Sequence, residues 1–163
     1  MSEKGRQSVA ESTQCASGVL VGRFDHALDP KKRLTVPSGW RLVMGNPEYV
    51  YAMPDPVQRC VNIMPKDEMD VMLSQLRQKA LFDPAQMRLL QVIGANSDLL
   101  MLDSQGRIRI SDKLLQFANL TTTVAMVGSV RMIKLWDPKA LAPEGEVDQA
   151  GLANAMAAAG WCG

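Results

Sequence analysis

A nine-residue pattern occurs twice in this chain. Leu28-Asp29-Pro30-Lys31-Lys32-Arg33-Leu34-Thr35-Val36 returns 74 residues later as Leu102-Asp103-Ser104-Gln105-Gly106-Arg107-Ile108-Arg109-Ile110. The match extends beyond the motif. Val50-Tyr51-Ala52-Met53 falls on Val124-Ala125-Met126-Val127 at the same offset. After a two-residue deletion, Cys60-Val61-Asn62-Ile63 falls on Met132-Ile133-Lys134-Leu135. An internal repeat constrains the architecture before any single residue is read, because each copy is one supersecondary unit. Here the unit is small and β-rich, and it carries a loop that starts with Asp and ends with Arg.

The repeats occupy 19–65 and 95–138, with a helical connector over 66–94 between them. Each copy is only about 45 residues, a size at which a separate core is marginal. The copies are therefore expected to complete each other, or copies in other chains, through an exchanged hairpin core. Strands are expected at 19–24, 34–36, 49–53 and 59–64, then from Ala95 to Leu102, at 108–110, 123–127 and 131–136. Short helices follow Pro37-Ser38 and Ser111, and both serines read as caps. Gly45-Asn46-Pro47 ends the first of these helices, since a left-handed cap and then a proline cannot continue it.

In the connector, Met69, Met72, Leu73, Leu76 and Ala80 lie on one face of a 3.6-residue period, which predicts a helix over 66–80. A second helix is expected to start at Asp83-Pro84-Ala85-Gln86, with Asp capping and Pro at the first helical position, and to stop at Gly94. The apolar stripes at 69–80 and 87–93 exceed what a small barrel can cover, so self-association is expected. Residues 1–18 are polar and read as a disordered arm. Residues 139–163 are rich in Ala and Gly with scattered acids and read as a flexible tail, with at most a frayed helix over 152–159.

Net charge is +1, so the total does not announce a nucleic-acid partner. The distribution says more. Residues 22–41 hold Arg23, Lys31, Lys32, Arg33 and Arg41 against Asp25 and Asp29 alone. Residues 137–163 hold Lys139 against Asp137, Glu144, Glu146 and Asp148. Cys15, Cys60 and Cys162 have no metal-ligand spacing, and His26 is the one histidine. No zinc site or other metal is expected within one chain, and the thiols read as reduced in a cytoplasmic protein. No secretory signal and no apolar run of membrane-spanning length is visible.

The repeated loop supports two compatible readings. Asp29 and Asp103 each end an apolar run, where a short carboxylate can accept backbone N–H bonds and fix a turn. Arg33 and Arg107 can pair with their own Asp, giving a duplicated salt-bridged turn. Gly106 permits positive φ, and Lys32 at the matching place implies a different turn or a small strain. The other reading is that Lys31, Lys32, Arg33, Arg107 and Arg109 face phosphate, as Lys and Arg do in nucleic-acid binders. An Asp that orients an Arg leaves other guanidinium donors free. His26 has no nucleophile to serve. No Gly-rich phosphate loop or Cys–His pairing is present, so no enzyme, cofactor or small-molecule substrate is expected.

The segment from Val21 to Arg41 resembles the first repeat of the bacterial MraZ family. Leu102–Ser111, with Val127-Gly128 and Ile133-Lys134-Leu135-Trp136-Asp137, resembles the second. The resemblance spans roughly 20–140. It implies an α+β, β-rich fold: a tandem swapped-hairpin AbrB-like (double SpoVT-AbrB) barrel with two inter-repeat helices. It also implies a ring-like homo-oligomer, associated with the nucleoid. The activity implied is that of a transcriptional regulator binding repeated DNA elements upstream of the division and cell-wall gene cluster and repressing its own operon. By matching position, Asp29, Arg33, Asp103 and Arg107 inherit the family's DNA-binding motif. Lys31, Lys32, Gln105 and Arg109 complete the expected double-stranded DNA surface. This chain departs from the family in its N-terminal extension, in Pro30-Lys31-Lys32, and in Ser111 where the first repeat has Pro37. The alternative class is an oligomeric protein-interaction module that modulates a partner enzyme without binding DNA.

Overall fold

The computed structural model describes residues 18–161. The arm expected over 1–18 falls outside them except for Gly18, as do Cys15 and Cys162. In chain order the strands are β1 (Arg23–Ala27), β2 (Arg33–Thr35), β3 (Tyr49–Pro54), β4 (Val61–Met64), β5 (Asp98–Met101), β6 (Arg107–Arg109), β7 (Thr123–Gly128) and β8 (Ile133–Trp136). The helices are α1 (Ser38–Val43), α2 (Lys66–Ala80), α3 (Pro84–Asn96), α4 (Asp112–Phe117) and α5 (Gln149–Ala158). The fold is mixed α+β and sheet-rich, with every strand pair antiparallel.

The two repeats exchange their first strands. β1 of the first repeat pairs with β7 of the second, Arg23 opposite Val127. β5 of the second pairs with β3 of the first in the matching register, Tyr49 opposite Met101. Each repeat keeps its own hairpin, β3–β4 or β7–β8, and the hairpins join through β4 and β8. The result is one six-stranded sheet in the order β1-β7-β8-β4-β3-β5, while β2 and β6 pair separately as a two-stranded ribbon. A pseudo-twofold axis relates the halves. On it, residues meet their own repeat counterparts: Leu34 faces Ile108 in the ribbon, and Asn62 faces Lys134 in the sheet.

The exchange solves the size problem. Leu34, Val36, Ile108 and Ile110 from the ribbon pack with Val50, Ile63, Val124, Ile133 and Leu135 from the sheet and Leu114 from α4, all at most 2 % exposed. Full burial of one such side chain stabilises by roughly 1.5–3 kcal/mol. Neither repeat alone supplies both walls of this core. Trp40 of α1 closes one end, donating its indole N–H to the Val21 carbonyl at 2.9 Å and meeting the Phe24 ring edge-on at 5.0 Å.

Several expectations are corrected. The sheet does not close into a barrel: β1 and β5 end it and do not pair with each other. The Asp loops turn β2 and β6 away from their sheet neighbours and onto each other. The 139–163 segment carries more regular structure than a frayed helix over 152–159. Pro138–Ala140 forms a 3₁₀ turn, and α5 forms over Gln149–Ala158 despite Gly151. The Asp148 side chain caps α5 by accepting from the Gly151 N–H at 2.9 Å, and the alanine-rich run has the highest helix propensity. Regular pairing in β1 starts at Arg23, not Val19, after Gly22 at φ +99°. α3 runs to Asn96, past Gly94. Ser38 lies inside α1, whereas Ser111 holds the N-cap position of α4 as expected, with its hydroxyl donating to Asp98 at 2.8 Å and not to the helix. The α2 boundaries and the Asp83 cap agree with the sequence reading.

Candidate nucleic-acid interface

The two Asp loops have the same stereochemistry. In the first, Asp29 Oδ1 accepts from the backbone N–H of Lys31 (2.9 Å) and Arg33 (2.8 Å), and Oδ2 accepts from Arg33 Nε (2.6 Å). In the second, Asp103 Oδ1 accepts from the N–H of Gln105 and Arg107, both at 2.9 Å, and Oδ2 from Arg107 Nε at 2.7 Å. One carboxylate thus satisfies two loop amides and orients one guanidinium, which leaves the Nη donors of that arginine clear of the Asp. The Asp29 carboxyl loses some hydration, but the Arg33 amide and guanidinium more than offset that and hold it below its ordinary pKa. The Arg107 amide does the same for Asp103, ahead of the smaller opposing loss of hydration.

Lys32 adopts φ +63° and Gly106 φ +75°. The first loop therefore makes the glycine-type turn with a lysine in the left-handed region. Three bonds to Asp29 over-determine the turn, and that offsets the steric cost of a Cβ there, roughly 1 kcal/mol.

Beyond the loops, the ribbon positions the cations. Leu34 and Ile108 are buried, so alternation places Arg33, Thr35, Arg107 and Arg109 on its other face. Arg33 sits opposite Arg109 and Thr35 opposite Arg107, and the two loops lie at opposite ends of the ribbon. Lys31 and Gln105 are exposed at the loop tips, and Arg109 is exposed on the strand. Two-stranded β-ribbons in general can enter the B-DNA major groove, about 12 Å wide.

Three features of the site and its surroundings escaped sequence reasoning. The Lys32 ammonium forms an ion pair with Asp112 at the start of α4 in the other repeat. That bond lowers the Asp112 pKa. Arg41 of α1 lies over Gly106. The third is a cluster on the pseudo-twofold axis, where Lys134 Nζ donates to Asp55 (2.6 Å) and to Asn62 Oδ1 (3.0 Å). Despite its burial, Asp55 is held far below the ordinary carboxylate range by Lys134, the Gln58 and Val57 amides and Asn62. Nearby, burial pushes the Cys60 thiol up to about 11. Each contact joins residues far apart in sequence, so no local motif signals it.

Comparison with known proteins decides the family. Over 111 residues the chain is 33% identical to the transcriptional regulator MraZ of Mannheimia succiniciproducens, spanning 67% of this chain and 73% of that protein. It is 31% identical to the transcriptional regulator MraZ of Corynebacterium jeikeium over 124 residues, spanning 76% and 85%. The chain belongs to the MraZ family. The match to the transcriptional regulator MraZ of Mesoplasma florum is similar, at 30% over 121 residues, 74% of this chain and 82% of that protein. The MraZ protein family model matches residues 94–141, the second repeat with its Asp103 loop. In this MraZ-family chain, no helix among the described residues is long and apolar enough to cross a membrane. Also among the described residues, no group of His, Cys, Asp or Glu side chains could hold a metal ion.

Proposed function

We propose that this chain is a DNA-binding transcriptional regulator that meets double-stranded DNA with the β2–β6 ribbon and its two Asp-x-x-x-Arg loops. The observation that carries the reading is the duplicated loop, in which one carboxylate aims one guanidinium, placed at both ends of a ribbon bearing Arg33, Arg107 and Arg109. Asp29 and Asp103 shape the loops, and Lys31, Lys32 and Gln105 flank the arginines. The relatives, each called a transcriptional regulator, support it. On this reading the targets are repeated elements upstream of the division and cell-wall gene cluster, the effect includes repression of its own operon, and the protein resides with the nucleoid in the cytoplasm. The strand exchange is taken as the swapped-hairpin arrangement of tandem SpoVT-AbrB units. Copies assemble into a ring, so that weak phosphate contacts add through avidity.

The test is binding to the DNA upstream of its own gene at several salt concentrations. Arg33→Ala and Arg107→Ala are each expected to weaken binding about tenfold or more without unfolding the protein, while Lys31→Ala lowers the salt slope by roughly 1. Wild-type affinity in the arginine variants returns the loops to structural turns. A protein-interaction module is then the better reading. One observation favours it: the α2–α3 connector exposes Leu81, Phe82, Met87 and Val92, with Phe82 94% exposed.

A further inference from the structure

The two loops are not equivalent as anion sites, and the residue that separates them lies outside both. Arg41 projects from α1 and folds back, its Nε donating to the Val36 carbonyl at 3.1 Å. The Val36 N–H in turn donates to the Gly106 carbonyl at 2.9 Å. Val36 therefore ties α1 to the second loop, and the Arg41 guanidinium comes to rest on Gly106. A Cβ on Gly106 would meet Arg41 Nε and Nη1 at 2.5 Å, so only glycine leaves room for this contact. Gly106 is buried beneath it. Among the described residues no carboxylate pairs with Arg41, and neither of its Nη groups has a hydrogen-bond acceptor.

At the first loop the matching backbone bond is present, from the Ile110 N–H to the Lys32 carbonyl at 2.9 Å. The side chains differ. Leu115 holds the position that corresponds to Arg41, and Lys32 replaces the glycine. The Lys32 ammonium is neutralised by Asp112, where the first repeat has Ser38. Leu115, Lys32 and Asp112 line a cleft of about 680 Å³ beside this loop. The second loop has two guanidinia, Arg41 and Arg107, with a single carboxylate, Asp103. The first has Lys31, Lys32 and Arg33 with two carboxylates, Asp29 and Asp112, and Arg109 stands opposite Arg33 at this end of the ribbon.

We infer that Arg41 is a phosphate-binding residue of the second loop, supplied by the first repeat. The inference rests on the DNA-binding reading above. A guanidinium flat on a glycine, with its outer N–H groups unspent, is pre-organised for the two parallel hydrogen bonds that a phosphate accepts. Arg107 lies in the same loop and gives the site a second cation.

The experiment uses the full chain with Arg41→Gln, Arg41→Lys and Arg107→Ala, each checked by thermal unfolding. Two probes are titrated: a duplex from upstream of its own gene over a range of salt, and inorganic pyrophosphate followed at the Gly106 amide by NMR. Arg41→Gln is expected to weaken duplex binding about tenfold and to flatten the dependence of log K on log salt by roughly 1. Arg41→Lys should keep the wild-type slope, since it keeps the charge. If Arg41→Gln keeps the wild-type slope on a duplex that binds, the inference fails while the DNA-binding reading stands. If Arg41→Gln and Arg41→Lys lose slope and thermal stability alike, Arg41 is a structural strut and the inference again fails. If the wild type ignores duplex but binds pyrophosphate through Arg41, the anion site stands and the DNA-binding reading falls. Binding of neither probe overturns both.

Discussion

Asp29 and Asp103 make the same three hydrogen bonds, and the corresponding distances agree within 0.1 Å. Yet the loops they organise have different electrostatic surroundings. The first is approached by Asp112, which neutralises Lys32, and the second by Arg41, which adds a cation. The difference teaches that the turn is a local property and its charge a remote one. Duplication preserved the bonds within five residues of chain, while the residues arriving from the opposite repeat diverged. The pseudo-twofold axis shows the same pattern. Leu34 opposite Ile108 keeps the chemistry of the two halves alike, whereas Asn62 opposite Lys134 does not.

The largest effect should come from the asymmetric end of the axis. Lys134→Met leaves the Asp55 carboxylate, whose side chain is 10% exposed, without its cation. Removing one partner of a buried pair typically costs about 3–5 kcal/mol. Urea unfolding should show such a loss, and Lys134→Met with Asp55→Asn should recover a substantial part of it. At the symmetric end, Leu34→Ala and Ile108→Ala should cost similar amounts, about 2–5 kcal/mol each. A large inequality between them would mean the halves do not share the core evenly.

Next come the left-handed positions. Gly106→Ala puts a methyl against Arg41 and a Cβ at φ +75°, so it should destabilise by more than the roughly 1 kcal/mol of backbone strain alone. Lys32→Gly should be nearly neutral. It relieves about 1 kcal/mol of strain and gives up only a solvent-exposed ion pair, which contributes little. Thermal melts of the two variants side by side test the contrast, and equal effects would erase the distinction between the loops.

The smallest effect is the loops' share of acid sensitivity, the larger share belonging to Asp55. Asp29, Asp103 and Asp112 all titrate below their ordinary value in the folded state. Carboxyls depressed in this way stabilise the fold above the unfolded pKa of about 3.9, and the contribution is lost as pH falls through the folded value. The melting temperature should therefore fall on acidification below about pH 4. Asp112→Asn, which removes only the Lys32 partner, should lessen the fall, and Asp103→Asn should lessen it through the other loop. A melting temperature indifferent to pH in this range would contradict the ion-paired loops.

Features written in short stretches of chain were legible. The 3.6-residue spacing of Met69, Met72, Leu73, Leu76 and Ala80 matches α2 at both ends, and Asp83 caps α3 as its neighbours imply. The pairing of each Asp with its own Arg follows from a four-residue separation and is present in both loops. The Lys32 turn was half legible: the sequence allowed a different turn or a strained one, and the Asp29 bonds select the strained one. In the 139–163 segment the helix allowed over 152–159 forms three residues earlier, at Gln149, because the Asp148 side chain caps it ahead of Gly151.

The sequence by itself determined that there are two copies of one unit, that each carries an Asp-oriented Arg, and that neither copy can bury its own core. These follow from spacing, side-chain chemistry and size. Only the tertiary structure decided which cations remain unpaired. Lys32 meets Asp112 across 80 residues and Lys134 meets Asp55 across 79, while Arg41 covers a glycine of the other repeat. Such contacts depend on the strand exchange that brings the two halves onto one axis. Chain spacing carries no record of that exchange, because the pairing energy lies between segments that only folding makes neighbours.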